Sequence, residues 1–414
     1  MIQKIKNIKF ILLSGLIIIS FIIRLIAAYF LGDESFESAS TEWSVLVYNL
    51  IENKSYSLYH FDDLFIPSIY MPPGYPILLY LIKIASLGKI NFLNLIMLFQ
   101  IILGTYSVYI FYKINLRLFS EKLSLINSFI FSFFPLNIYM VGQISSITLQ
   151  VFLSILFLHL LFSVIEKKKE TNIIFFAIAS GVLILTRGEF ILIFFVIILF
   201  AMAKRQIKSS NLLKIILIAS LVVSPYLIRN YYHFNQIVLV KSLGFNLWKG
   251  NNKLSLAEGY EEYDNYEFRY LKSELNKLKK NKYYEINRDK LFLDHAKNYL
   301  IENPNKYLNL FFNKIFSFYF VDFKSTYPNY YNFFHFLPVI VLATLSFPGL
   351  LIFLKKKRIY NNYLGLYLFS NLIIFSIFFI LPRFKLIILP VQIILAAYFI
   401  KYVLEKLNIT IKVL

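Results

Sequence analysis

The chain has 414 residues, of which 58% are hydrophobic and 19% aromatic, with a formal net charge of +20 and a positive mean hydropathy. That balance excludes an ordinary soluble domain of this size and marks an integral membrane protein. There is no cysteine, which excludes disulfides, thiolate metal sites and cysteine nucleophiles. The Lys and Arg fall in short runs between apolar segments, as topology signals do, rather than in a nucleic-acid-binding patch.

A membrane span needs about 20 apolar residues. The first apolar run follows a basic stretch and is too long for a cleaved leader, so it is expected to be a retained span. Candidate spans cover 10–31, 91–112, 123–140, 147–165, 172–185, 190–203, 213–228, 336–354, 363–381 and 386–403. With a cytoplasmic N-terminus, the basic clusters all fall on one side: Lys4, Lys6 and Lys9; Lys113, Arg117 and Lys122; EKKKE at 166–170; Lys204, Arg205 and Lys208; KKKR at 355–358; Lys401 and Lys406. Cytoplasmic loops carry such an excess.

Two long segments, 32–90 and 229–335, fall on the other side, the first acidic with Asp33, Glu34, Glu37, Glu42, Asp62 and Asp63. The apolar stretch 72–89 is too short to span and contains Lys83, which predicts a helix lying at the outer interface. Segments 172–185 and 190–203, split by TRGE, predict a tight outer hairpin. In the second loop Leu291, Leu293, Ala296, Tyr299 and Leu300 recur near helical spacing before Pro304, predicting an amphipathic helix pair. The expected organisation is an N-terminal transmembrane module over 1–228 with a catalytic first outer loop at 32–90, an extracytoplasmic loop over 229–335, and C-terminal helices over 336–414.

A transporter places its costly polar groups near the bilayer midplane. Here they gather at the outer ends of spans: the loop-one carboxylates, Arg187 and Glu189, Arg229 and Asn230, LWKGNN at 247–252, and Arg383 and Lys385. Arg24, inside the first span, is expected to snorkel to the interface. LWKGNN is expected to form a tight Gly turn. Outside the cytoplasm there is no nucleotide sugar or ATP, so a group transfer there draws its donor from a lipid phosphate. The departing phosphate needs cations, and the attacking hydroxyl needs a positioned carboxylate. Glu42 heads a predicted helix with Thr41 as its cap. The five His show no metal-ligand spacing.

Five stretches carry a resemblance: EWSVLVYNL at 42–50, MPPGYP at 71–76, ASGVLILTRGEF at 179–190, SPYLIRNYYHFNQIVLV at 224–240 followed by GFNLWKGNN at 244–252, and PRFKLIILP at 382–390. Together they resemble the glycosyltransferase C superfamily, specifically bacterial members related to protein O-mannosyltransferases and to the aminoarabinose transferase of lipid A. The resemblance implies an all-α polytopic membrane protein of about ten transmembrane helices, with juxtamembrane helices in two long outer loops. It also implies inverting transfer of a sugar from a polyprenyl-phosphate donor to an extracytoplasmic glycan, lipid or protein, in the bacterial plasma (inner) membrane.

For the site, the resemblance implies a catalytic acid in the first loop. Glu42 is favoured. Asp33 and Glu34 are the alternatives, because relatives join an Asp-Glu pair directly to the helix and here the pair lies some eight residues earlier. Arg187, Arg229, Arg383 and Lys385 are implied on the donor phosphate, and Tyr75, Trp248 and Asn251 on the substrate. No metal ligands and no definite cofactor are assigned, and the acidic first loop leaves a divalent cation open. The turn GQISSITLQ at 142–150 lacks a carboxylate that relatives often carry. Two other classes stay open on the sequence alone: a lipid-linked oligosaccharide flippase or transporter, and an O-antigen polymerase or ligase.

Overall fold

The computed structural model describes residues 2–32, 41–61, 64–86, 88, 91–167, 169–356 and 358–407. From the N-terminus, α1 (Ile2–Leu31) precedes a short helix α2 (Glu42–Glu52), the strands β1 (Ser57–Phe61) and β2 (Leu64–Pro67), and α3 (Gly74–Ala85). Then come α4 (Phe92–Asn115), α5 (Glu121–Phe133), α6 (Pro135–Tyr139), α7 (Ile147–Lys167), α8 (Glu170–Thr186), α9 (Phe190–Ala203) and α10 (Ser209–Phe234). The second outer segment holds α11 (Leu243–Asn251), α12 (Arg269–Asn276), α13 (Tyr284–Glu302) and α14 (Pro304–Tyr319), and the chain closes with α15 (Phe333–Lys355), α16 (Ile359–Ile377) and α17 (Lys385–Lys406).

All ten apolar segments are helical, and the chain is a multi-pass membrane protein. Among the described residues six helices are long and apolar enough to cross a bilayer, or seven if the pair broken after Phe133, bent by 59°, is one span. The break has a local cause: Phe134 is extended ahead of Pro135, which opens the next helix at its first position. Helices α8 and α9, with 17 and 14 residues, fall short of that length. Helix α16 carries Asn361, Asn362 and Asn371, which dilute its apolarity. The expected ten spans therefore resolve into full crossings and shorter apolar helices.

Three of the basic connections meet at one end of the bundle. Arg117 pairs with Glu166 at 2.9 Å, the Tyr360 hydroxyl donates to Glu166, and Arg358 donates to the Leu118 carbonyl. At the opposite end of α7, Gln150 accepts from Arg187. Sixteen residues of helix separate Gln150 from Glu166, a rise of about 24 Å, so the Arg187 end and the basic end lie on opposite sides of the apolar layer.

The first outer segment departs from the all-α expectation. β1 and β2 form an antiparallel hairpin pairing Tyr59 with Ile66 and His60 with Phe65, residue types that fit a half-buried pleated surface. Helix α3 has 12 residues, about 18 Å of rise, too short to cross. Tyr75, Pro76 and Leu79 are buried against the protein while Ile77, Leu81 and Ile84 are exposed, as an interfacial helix requires.

In the second outer segment, Trp248, Phe268, Leu271, Leu275, Phe292 and Ala296 form a separate core. α13 ends at Glu302 and α14 begins at Pro304, where the sequence predicted a stop. The buried stripe of α13 differs from the expected one: it runs through Glu285, Ile286, Asp289, Phe292 and Ala296, so two carboxylates face inward where leucines were expected.

Candidate active site

Glu42 is the first residue of α2, and the helix starts there because Thr41 and Ser44 cap it reciprocally. The Thr41 hydroxyl accepts from the Ser44 amide at 3.2 Å, and the Ser44 hydroxyl accepts from the Thr41 amide at 3.2 Å. Leu46 and Val47, both fully buried, anchor the helix and leave Glu42 at its positive end. Glu42 is exposed at the surface of α2, yet the protein packed around its carboxyl desolvates it enough to raise its pKa. The nearby charges of Lys249, Arg288 and Arg383 pull it back down, and that of Glu261 pushes it up. A carboxylate so placed is reluctant to ionise fully yet held ready by cations, the setting a general base needs.

Arg187 and Arg383 come from opposite halves of the chain. Arg187 ends α8, its amide bonded to the Leu183 carbonyl, and its Nε donates to Gln150 Oε1 at 2.8 Å with Glu189 at 3.7 Å. Arg383 sits in the turn before α17 and donates to the Tyr327 hydroxyl at 3.1 Å. Both guanidinium groups lie over the Phe384 ring, at 5.1 and 5.8 Å. Like charges this close repel unless an anion joins them.

Lys249 and Arg288 also lie near Glu42. Lys249 pairs with Glu261 and stands over the Phe379 ring at 4.7 Å. Arg288 projects from α13 onto the rings of Phe245, Phe292 and Tyr70, at 5.0, 5.1 and 5.8 Å. Tyr70 is set by its neighbours: Glu285 Oε2 accepts from the Ile69 amide at 2.6 Å and the Ser68 hydroxyl at 3.1 Å, while Arg229 holds the Ser68 carbonyl at 2.6 Å.

Of the residues singled out from sequence, Glu42, Arg187 and Arg383 come together. Arg229 does not join them. Its Nη1 donates to Ser68 O and Asn230 Oδ1, and its guanidinium is packed among Tyr56, Tyr226 and Phe234, fastening the first outer segment to α10. Lys385 is buried and donates to the carbonyls of Ser317, Phe318 and Phe320, closing the last turn of α14 as cations do at helix C-termini.

Tyr75 is buried beneath Trp43, their rings 5.1 Å apart, and donates to Gln100 at 3.1 Å. Trp248 is part of the outer core. Asn251 is spent on Leu247 O, Ile377 O and the Lys314 ammonium. The LWKGNN stretch is helical through Asn251 rather than a tight turn. Its Gly250 is needed because a Cβ there would stand 1.9 Å from the Phe378 carbonyl oxygen. Arg24 does not snorkel: it is fully buried, bonded to Ser20 and packed where Gly104 leaves room. Asp33, Glu34, Glu37, Asp62 and Asp63 lie outside the described residues.

Lys249, Tyr70, Gln150 and Arg288 are site residues that the sequence did not single out for the site. Lys249 lies inside the LWKGNN stretch that the sequence marked as a whole, and Arg288 carried a signal of its own. It falls one helical turn after Glu285 and one residue before Asp289, but a charge in an amphipathic helix reads as a solvated face. No group of three or more carboxylate or imidazole side chains among the described residues is arranged to hold a metal ion.

The sequence resemblance is borne out by a family match over part of the chain and by solved structures of the same fold. Residues 72–228 match the family described as dolichyl-phosphate-mannose-protein mannosyltransferase. Over 96% of its length the chain matches the archaeal oligosaccharyltransferase AglB from Archaeoglobus fulgidus, in complex with an inhibitory peptide and a dolichol-phosphate, at 14% identity and a TM-score of 0.54, covering 51% of that chain. An Archaeoglobus fulgidus oligosaccharyltransferase tethered to an acceptor peptide matches at 13% identity and 0.53, over 96% of this chain and 50% of that one. A complex with Zn and sulfate matches at 14% and 0.54, over 95% and 50%. The chain thus spans about half the length of these structures. No curated protein matches it.

Proposed function

We propose that the protein is an inverting glycosyltransferase that moves a sugar from a polyprenyl-phosphate donor to a hydroxyl of an extracytoplasmic glycan, lipid or protein. The observation that carries this reading is the gathering of one carboxylate, Glu42, with Arg383 and its partner Arg187 at a single end of the bundle. Glu42 accepts the proton of the acceptor hydroxyl, whose oxygen attacks the anomeric carbon. The bond from that carbon to the phosphate oxygen breaks on the opposite face, and the released phosphate is held by Arg187 and Arg383. The dolichol-phosphate and acceptor peptide held by the structural neighbours support a lipid-borne donor and a separate acceptor.

The exposed apolar faces of the outer helices suit contact with a prenyl tail and the outer leaflet, and the active face looks out from a bacterial plasma membrane. Although one neighbour holds Zn, the described surroundings of Glu42 are mostly cationic and do not fit a divalent cation, so no step is routed through one. The test is transfer of label from a radioactive polyprenyl-phosphate sugar, supplied to the purified protein in proteoliposomes containing cell-envelope extract. Labelled product with released polyprenyl phosphate supports the reading. Label that crosses the bilayer without changing carrier makes the protein a flippase, and a requirement for a polyprenyl-diphosphate donor makes it a ligase or polymerase.

A further inference from the structure

Among the described residues Arg288 is a cation without an ion pair, in a place where an unpaired charge is costly. It is half-buried, and no carboxylate of the described residues lies within 4.0 Å of it. The two acids nearest it on α13 are turned elsewhere. Glu285 accepts from Ile69 and Ser68, and Asp289 accepts from the Phe245 amide at 3.1 Å, capping α11. Gly244 keeps that contact close, since a Cβ there would stand 2.0 Å from the Asp289 carbonyl oxygen. Stacking on Phe245, Phe292 and Tyr70 fixes the guanidinium plane while its charge stays available. The phenols of Tyr59, Tyr70, Tyr263 and Tyr284 surround it, and each of these residues is partly open to solvent.

The cations around Glu42 come from different elements. Arg187 and Arg383 stand at the ends of membrane helices, where a lipid phosphate arrives. Arg288 stands on α13, in the outer segment, where a group arriving from water meets it first. Resting on the glycosyltransferase reading, we propose that Arg288 and the phenols of Tyr59, Tyr70 and Tyr284 form an acceptor subsite that takes an anionic group, carboxylate or phosphate, carried by the acceptor near its reacting hydroxyl. The planar guanidinium forks two oxygens of such a group, and the phenols bond the neighbouring sugar hydroxyls.

The two tryptophans of the chain, Trp43 and Trp248, both report on this place. Trp43 adjoins Glu42, and the Trp248 ring lies 5.0 Å from that of Phe292, on which Arg288 stacks. Intrinsic fluorescence of the full-length protein in detergent is titrated with methyl glucuronide, glycerol phosphate and neutral methyl glucoside. Both anions are expected to saturate, and the glucoside to bind at least about tenfold more weakly. Arg288→Gln should weaken methyl glucuronide about tenfold or more and Arg288→Lys by less, as expected for the loss of one charge-assisted contact, with Arg383→Gln affecting it least. Equal binding of glucoside and glucuronide, or undiminished binding by a folded Arg288→Gln protein, overturns the proposal.

A kinetic arm separates this from the donor site. Hydrolysis of polyprenyl-phosphate sugar by water, without acceptor, should fall further in Arg383→Gln than in Arg288→Gln. Equal falls would place Arg288 on the donor, ending the subsite proposal and sparing the glycosyltransferase reading. Wild-type protein that turns over no donor would end that reading, while the fluorescence titration would still decide whether the anion subsite exists.

Discussion

Arg187 and Arg383 share the ring of Phe384, although one ends a helix in the first half of the chain and the other precedes the last helix. Arg187 has Gln150 and Glu189 beside it, whereas Arg383 has only the Tyr327 hydroxyl as a hydrogen-bond partner among the described residues. Arg383 is therefore the freer of the two to follow the developing charge of a leaving phosphate. Arg383→Gln is expected to lower kcat/KM for the donor by roughly 10²-fold, the scale of losing one preorganised electrostatic contact. Arg383→Lys should fall between, because an ammonium keeps the charge and loses the fork. Steady-state kinetics at fixed acceptor check this, and an unchanged kcat/KM would take Arg383 off the donor.

The pH profile carries a second expectation. Burial raises the Glu42 pKa, and Lys249, Arg288 and Arg383 oppose the rise. A general base works ionised, so activity should climb with pH through a midpoint above the ordinary carboxyl range. Removing Arg383 removes an opposing positive charge, so the climb in Arg383→Gln should move to higher pH. A limb that stays put or moves lower contradicts the placement of these two groups.

Lys385 and Asn251 should read out as stability rather than substrate affinity. Lys385→Met leaves three carbonyls at the end of α14 without their donor, a cost of about 1–3 kcal/mol for each group that finds no other partner. Thermal unfolding in detergent should fall by several degrees, while the donor KM of the folded fraction stays near the wild-type value. A large rise in donor KM with unchanged unfolding would return Lys385 to the phosphate.

Much of this arrangement was legible in the sequence, and the reasons are physical. Hydropathy located each apolar helix because the bilayer demands length and apolarity, and the basic runs told one end from the other, as Arg117, Glu166 and Arg358 now show by meeting. Thr41 marked the start of α2, and the structure adds Ser44 as its reciprocal partner. What stayed hidden depends on where a cation's donors go. Arg229, Lys385 and Arg383 read alike as outer basic residues, and only their carbonyl and ring partners distinguish fasteners from a free guanidinium. The buried face of α13 was missed because Glu285 and Asp289 sit inward, bonded to backbone amides that no periodicity reveals.

Glu285 makes a pH-linked claim about stability. Its pKa is raised to about 7, chiefly by burial and against the hydrogen bonds from the Ile69 amide and the Ser68 hydroxyl. The folded protein therefore keeps this proton in a range where the unfolded chain has lost it. Stability from this group is full below the ordinary carboxyl pKa of 4.5 and is lost as pH rises through about 7. Glu285→Gln, which cannot ionise, should flatten the decline in unfolding temperature between pH 5 and 8, chosen as roughly bracketing that range. An identical decline in both proteins would contradict it.

The most direct test of the account is transfer by Glu42→Gln, an isosteric change that keeps the cap at Thr41 and removes the base. With polyprenyl-phosphate sugar as donor, the account predicts a fall in kcat of about 10²–10⁴-fold, with the unfolding temperature and donor binding close to those of the wild type. A stable Glu42→Gln protein that transfers sugar at the wild-type rate would contradict it and turn attention to Asp33 and Glu34.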